Sequence, residues 1–326
     1  MARKARIERS EGIYHVINRG NYRSFIFESE GAKGSFEGTL FEACQRFRWD
    51  LKGYALLSNH FHLCVGTPLG NLSAGMRWLQ STYAMRFNRY RQERGHLFQG
   101  RFKALIVEPG ASVIELVNYI HLNPVRAGLV SLENLGDYRW TSLSAFCGRR
   151  DRPGFLDARW LLGMKQGADT PSGWRRYHRL LEVELSREPE ATEALEKAMT
   201  RGWCIGSGLF KQALVEDSFK EREVLGLEQE ELKEVNRLQW AEMLRRSLQH
   251  LKKGEADLCG DKFSADWKLA IAVKLKRESA VSNRWLSEAL QMGAPNAVSN
   301  NCGRYQRERE AACPWAQQLR NMNYEY

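Results

Sequence analysis

The sequence is short of the features that place a chain outside the cell or in a membrane. Its seven cysteines stand at 44, 64, 147, 204, 259, 302 and 313, an odd number with no C-x-x-C and no pair closer than eleven residues. That spacing suits neither a zinc ribbon nor a disulfide framework. No window approaches the ~18–20 apolar residues of a membrane helix, and the basic opening MARKARIERS runs into Glu11-Gly12 rather than an apolar stretch. Fixed-period repeats and low-complexity tracts are lacking too. The expectation is a cytoplasmic protein in a reducing setting, with no membrane partner.

What the chain has in excess is positive charge: 49 Lys+Arg against 39 Asp+Glu in 326 residues, a net +10, with 43% hydrophobic residues to build a core. At ~100–200 residues per domain, the length suggests about two domains. They do not share the charge. Residues 1–150 hold 21 basic and 12 acidic side chains, leaving 28 and 27 for the rest, and within 51–110 eight basic residues face only Glu93 and Glu108. Either the first half meets a polyanion or it keeps a solvated basic face for solubility.

Alternation in IYHVINR (13–19) predicts a first strand, and apolar residues at three-to-four spacing predict a helix over 32–47. Residues 51–57 and 61–65 read as an antiparallel pair turning at Ser58-Asn59-His60, residues 71–91 as an amphipathic helix, and 102–107 as another strand. Ser112 can cap a helix that runs to about Asn123, because Pro124 disfavours helical geometry before it. The order β-α-β-β-α-β-α predicts an α+β fold: a ferredoxin-like antiparallel sheet with helices on one face. The turn-rich CGRRDRPG (147–154) suggests a boundary. The expected parts are a catalytic domain over 1–148, a helical connector over 149–262 and a helical tail over 263–326.

Of seven histidines, only His60 and His62 are one residue apart, in SNHFHLCV. On a strand, positions i and i+2 share a face, so the pair is half of a divalent-metal site or simply two surface histidines near a turn. A third ligand must come from elsewhere. In ELVNYIHLNPVRAG, Tyr119 and Asn123 are four apart on one helical face, with Glu115 a turn earlier. The Asn123 amide oxygen is a hard ligand suited to Mg²⁺ or Mn²⁺, which would set a phenol beside a Lewis acid. The plainer alternative makes Tyr119 a buried aromatic and Asn123 a helix end. His121, two positions from Tyr119, points away and reads as structural.

The segments IYHVINRG, SNHFHLCV, GHLFQGRFKA, YIHLNPVRAGLV and DYRWTSLSAF, in that order over roughly residues 8–147, resemble the single-tyrosine transposases of the histidine-hydrophobic-histidine superfamily. The REP-associated branch is the most similar. The resemblance implies that His60, His62 and Asn123 bind Mg²⁺ or Mn²⁺, with Glu115 as a fallback ligand because some relatives carry the longer Gln where Asn123 stands. It implies that Tyr119 attacks single-stranded DNA, leaving a 5′-phosphotyrosine and a free 3′-hydroxyl, and that a second 3′-hydroxyl can rejoin the strand. It further implies recognition of a short imperfect hairpin of REP type, by a monomer or a homodimer.

Arg77, Arg86, Arg89, Arg101 and Lys103, interleaved with Phe98 and Phe102, are candidates for holding a DNA backbone and stacking bases. In the tail, WKLAIAVKLKRES, NRWLSEALQMG and APNAVSNNCGRYQRERE read as three helices, the last two resembling a helix-turn-helix. Asn296, Ser299, Asn300 and Arg304 would then face base edges and phosphates. Two other functions compete with the nuclease: a domesticated hairpin DNA or RNA binder without cleavage, and a metal-dependent hydrolase using water. Intact His60, His62 and Tyr119 favour the nuclease, since a binder needs none of them.

Overall fold

Alternation along β1 (Gly12–Arg19) sends Tyr14 and Val16 to one side of a sheet and His15, Ile17 and Arg19 to the other. The computed structural model describes residues 8–165, 167–221, 229–320 and 322. After β1 come α1 (Glu30–Phe47), β2 (Asp50–Leu56), β3 (His60–Thr67), α2 (Leu72–Arg91), β4 (Lys103–Val107) and α3 (Ala111–Arg126). The strands order as β2-β3-β1-β4, every neighbouring pair antiparallel. This is the ferredoxin-like split βαβ arrangement that the order of elements predicts. Ser29 caps α1 by accepting the Ala32 N–H at 3.1 Å, and the chain leaves α1 and α2 through left-handed Arg48 and Gln92.

The two faces of the sheet carry different helices. On one, Phe61 of β3 meets Phe36 of α1 with ring centroids 4.8 Å apart, and Phe36 meets Tyr83 of α2 at 5.1 Å. The Tyr83 hydroxyl is satisfied by the Ile26 carbonyl at 2.7 Å. The helices were expected on one face; α3 instead lies on the other. Small residues of β2 admit it there: a Cβ on Gly53 would come within 3.3 Å of Val117. Helix α3 also departs from the expected ends. It starts after Gly110, whose φ is 94°, and it runs through Pro124 to Arg126.

The chain continues with α4 (Ser142–Phe146), α5 (Pro171–Leu185), α6 (Pro189–Thr200) and β5 (Cys204–Ile205). β5 adds to β4 in parallel, pairing Ile106 with Cys204. The compact unit therefore ends at Ser207 rather than at 148. The CGRRDRPG stretch is a surface turn inside it, held by Arg150, which donates to Glu37 at 2.8 Å. Beneath α3, Phe146, Trp160, Trp174 and Tyr177 form an aromatic cluster, with the Phe146 and Trp174 rings stacked at 4.9 Å. The first part of the expected connector is thus part of the sheet-bearing unit.

A second unit begins at Gly208. It contains α7 (Gly208–Glu221), α8 (Gln229–His250), α9 (Glu255–Gly260), α10 (Asp266–Glu278), α11 (Asn283–Ala289), α12 (Pro295–Glu308) and α13 (Pro314–Arg320). Ser282 caps α11, accepting the Trp285 N–H at 3.2 Å. Val298, Cys302 and Tyr305 of α12 pack into the core of α10 and α11. No helix among the described residues is long and apolar enough to cross a membrane.

Candidate active site

The face of the sheet covered by α3 carries His15 of β1 and His60 and His62 of β3. The antiparallel register sets Arg19 opposite His60 and Ile17 opposite His62. His62 is 2% exposed and His15 is fully buried. The His15 Nδ1 lies 2.8 Å from the Met199 carbonyl, which can only accept, so that nitrogen carries the proton. Its Nε2 is then an acceptor, and it takes the Nδ1–H of His62 at 3.0 Å. His60 is fixed in the same sense. The Asn59 amide nitrogen donates to the Arg23 carbonyl at 3.2 Å, and the Asn59 oxygen accepts the His60 Nδ1–H at 2.7 Å. Both histidines of the pair are therefore left with an Nε2 lone pair outside these bonds.

Burial keeps all three rings neutral. It lowers the pKa of His60 to about 4, with Arg19 adding to the effect, and that of His15 to about 4 against the opposing Met199 hydrogen bond. His62 is pushed well down by burial and by the two neighbouring imidazoles. A neutral imidazole is the form that ligates metal.

Helix α3 presents Tyr119 to this group. Its ring centroid is 5.6 Å from that of His62 and 6.1 Å from that of His15, both edge-on. Tyr119 is 4% exposed. Burial, reinforced by Glu196, raises its pKa to about 12, while the Asn123 side chain and the Arg126 guanidinium pull the other way. One turn on, the Asn123 amide nitrogen donates to the Tyr119 carbonyl at 2.9 Å, so its oxygen is the atom outside that bond. One further turn brings the Arg126 guanidinium over the Tyr119 ring, 5.5 Å from its centroid.

His121 points elsewhere, as its spacing predicts: its ring nitrogens lie 2.8 Å from the Tyr177 hydroxyl and 2.7 Å from Ser142 Oγ, in the aromatic cluster. Glu115 is exposed. No group of three or more His, Cys, Asp or Glu side chains arranged to hold a metal occurs among the described residues. Two imidazole Nε2 atoms and an amide oxygen would together make a mixture suited to a borderline-to-hard cation.

The expected DNA contacts fall in different places. Lys103 lies opposite Ile17, on the face that carries His62. Arg101 is exposed just before β4. Arg77 and Arg89 are exposed on α2, in the helical layer on the other face of the sheet. Arg86 is committed to Glu42 through two bonds of 2.9 Å and to Thr39 at 2.8 Å. Phe98 packs against Phe61 and Tyr83, with centroids 6.2 and 6.1 Å away, and Phe102 is buried. In the second unit, Asn296, Ser299, Asn300 and Arg304 are all exposed on α12, opposite its buried Val298-Cys302-Tyr305 stripe.

Sequence reasoning passed over two residues of the site. His15 sits on the alternating face of the first strand, but only the register against β3 puts it beside His62. Arg126 is seven positions after Tyr119, a helical repeat that is visible once the helix continues past Pro124.

Residues 8–123 match the family model described as "Transposase IS200 like". A solved structure described as "Structure of the REP associates tyrosine transposase bound to a REP hairpin" is similar at 17% identity and a TM-score of 0.39, covering 47% of this chain and 89% of that one. No curated protein matches. The matched segment, under half of the chain, takes in β1 to β4, the histidine pair and the tyrosine helix as far as Asn123, and is similar to the IS200-like transposases.

Proposed function

We propose that the protein is a metal-dependent single-strand DNA endonuclease and strand transferase that cuts and rejoins DNA beside REP-like hairpins, with Tyr119 as nucleophile. The observation that carries the reading is the pair of His60 and His62 Nε2 lone pairs, fixed by hydrogen bonds on the far nitrogens, next to a tyrosine on the facing helix. The family of residues 8–123 supports the same chemistry. Hairpin binding is carried over from the resemblance to REP-associated enzymes.

His60, His62 and Asn123 would hold Mg²⁺ or Mn²⁺, which supplies Lewis-acid polarisation of the scissile phosphate. Tyr119 supplies the attacking oxygen. With a pKa of about 12, ionising it beforehand at pH 7 would cost about 7 kcal/mol, so the phenol attacks while its proton is being lost. The P–Oη bond forms and the P–O3′ bond breaks. The phenolic proton leaves, and the 3′ oxygen gains one. Because the phosphotyrosine keeps the phosphoester bond energy, another 3′-hydroxyl can reverse the step on a new end without ATP.

Lys103 and Arg19, on the same face of the sheet, would draw the strand toward the site, and α12 would read the hairpin or its flank through Asn296, Ser299, Asn300 and Arg304. The experiment is incubation with single-stranded hairpin oligonucleotides and Mg²⁺ or Mn²⁺, followed by denaturing gels. A protein-linked product is expected for the wild type and none for Tyr119→Phe. His60→Ala should lose more than the ~10–100-fold typical of a residue that merely supports a ligand. An adduct formed by Tyr119→Phe removes the nucleophile from this reading, and a wild type that never forms one removes the nuclease. Deleting residues 266–326 should weaken binding and flatten its salt dependence; an unchanged salt slope rejects a DNA role for the tail.

A further inference from the structure

We propose that Arg126 binds the scissile phosphodiester beside Tyr119, its guanidinium meeting the negative charge that grows on the non-bridging oxygens as the tyrosine oxygen attacks. The inference rests on the nuclease reading and adds a residue to it. Positions 119, 123 and 126 fall on one face of α3 because the helix runs on to Arg126. The guanidinium stands over the Tyr119 ring, with Cζ 5.5 Å from the centroid.

Two of its donors have nothing to bind. Arg126 Nε and Nη1 are buried without a hydrogen-bond partner, whereas every other such side-chain atom among the described residues is a single neutral one, as in Trp160 or Asn118. Glu184 and Glu196 are near enough to favour the charged form, yet neither forms an ion pair with it. A buried cation with unspent donors costs stability, and that cost is relieved when an anion arrives. A guanidinium keeps its charge and carries five N–H donors spread over its edges, so donors on different sides can still meet phosphate oxygens. The neighbouring nucleophile identifies the phosphate. As the P–Oη bond forms and the P–O3′ bond breaks, charge accumulates on the equatorial oxygens, and a cation beside the nucleophile would stabilise it.

The test uses the full chain and hairpin oligonucleotides in which a neutral methylphosphonate replaces one linkage at a time along the single-stranded flank. In EDTA, the wild type should bind less tightly when the scissile linkage is neutral, and R126Q should bind both forms equally. With Mg²⁺ or Mn²⁺, R126Q should slow adduct formation about 10²–10³-fold on the natural linkage, and R126K should recover part of the loss. An Arg126 that only packs against Tyr119 would leave the response to a neutral linkage unchanged. R126Q that discriminates between the linkages as strongly as the wild type, or forms adduct within about threefold of it, overturns the assignment. If R126Q does not fold, R126M keeps the aliphatic stem over the ring and carries the same comparison. If the wild type forms no adduct but discriminates through Arg126, the nuclease reading fails and the phosphate site stands. If it does neither, both fail.

Discussion

Replacing His15 by leucine tests whether the relay from Met199 through His15 to His62 sets the metal-ligating nitrogen. In the native protein, the His15 Nε2 accepts the His62 Nδ1–H at 3.0 Å and the opposite nitrogen donates to Met199 at 2.8 Å, with His15 fully buried. Leucine fills the space but leaves the His62 N–H and the Met199 carbonyl unpaired, at about 1–3 kcal/mol each. The buried isobutyl group returns about 2 kcal/mol. The net loss is about 0–4 kcal/mol, lowering Tm by up to roughly 16 °C. The functional effect is separate from this. Without its acceptor, the His62 proton can move to Nε2 and occupy the lone pair a metal needs. Loss of such an orienting partner weakens metal binding ~10–100-fold, or about 1.4–2.7 kcal/mol. Isothermal titration of the folded variant with Mn²⁺ at pH 7.5 reads this directly, and ¹⁵N shifts of His62 report its tautomer. A folded His15→Leu protein that binds Mn²⁺ within about twofold of the wild type refutes the relay.

Two further expectations concern the sheet-bearing unit. A chain ending at Ser207 should melt cooperatively, whereas one ending at 148 should not, because it loses β5 and the Trp160, Trp174 and Tyr177 side chains packed under α3; equal melting of the two would show that 149–207 is dispensable. Acid should destabilise the unit well above the carboxylate range: burial lowers His15 to about 4 and His121 to about 3, so below about 6.5 the unfolded chain takes up protons that the folded one refuses. Their contribution is complete above 6.5 and is lost as pH falls toward those folded values; at pH 5 each has given up about 2 kcal/mol, and denaturant midpoints that match at pH 7.5 and 5 would contradict this.

What was legible in the sequence was local. Four strands and three helices follow from periodicity, and the β2–β3 turn puts His60 and His62 on one face by alternation alone. What was not legible depends on pairing between distant segments. β5 has two residues and no periodicity, and it exists because Cys204 meets Ile106 almost a hundred positions away. His15 becomes a partner of His62 only through the register of β1 against β3. The stretch at 147–154 has the composition of a linker, but Arg150 within it reaches the buried Glu37 and anchors the turn to the sheet-bearing unit. Composition reports how a segment meets water, and one buried side chain can overrule it. The basic residues show the same limit. Arg86 adds to the charge excess in the sequence, while in the fold its guanidinium is spent on Glu42.

Pro124 shows how a local rule and a tertiary packing decide a site between them. Proline inside a helix removes the N–H that would bond to the Ile120 carbonyl and costs about 3 kcal/mol, which is why the helix was expected to stop there. That cost is a free energy and can be outweighed. Leu116, Val117 and Ile120 of α3 are fully buried, Pro124 is buried with them, and the Asn123 carbonyl still accepts the Ala127 N–H at 2.9 Å. Burying each large apolar side chain contributes about 1.5–3 kcal/mol, so a few of them hold the last turn helical despite the missing bond. The added turn fixes Arg126 where its guanidinium lies over the Tyr119 ring. A phosphate-binding guanidinium at this site therefore depends on the helix surviving its proline, and a substitution that frays α3 after Asn123 should silence Arg126 as surely as replacing it.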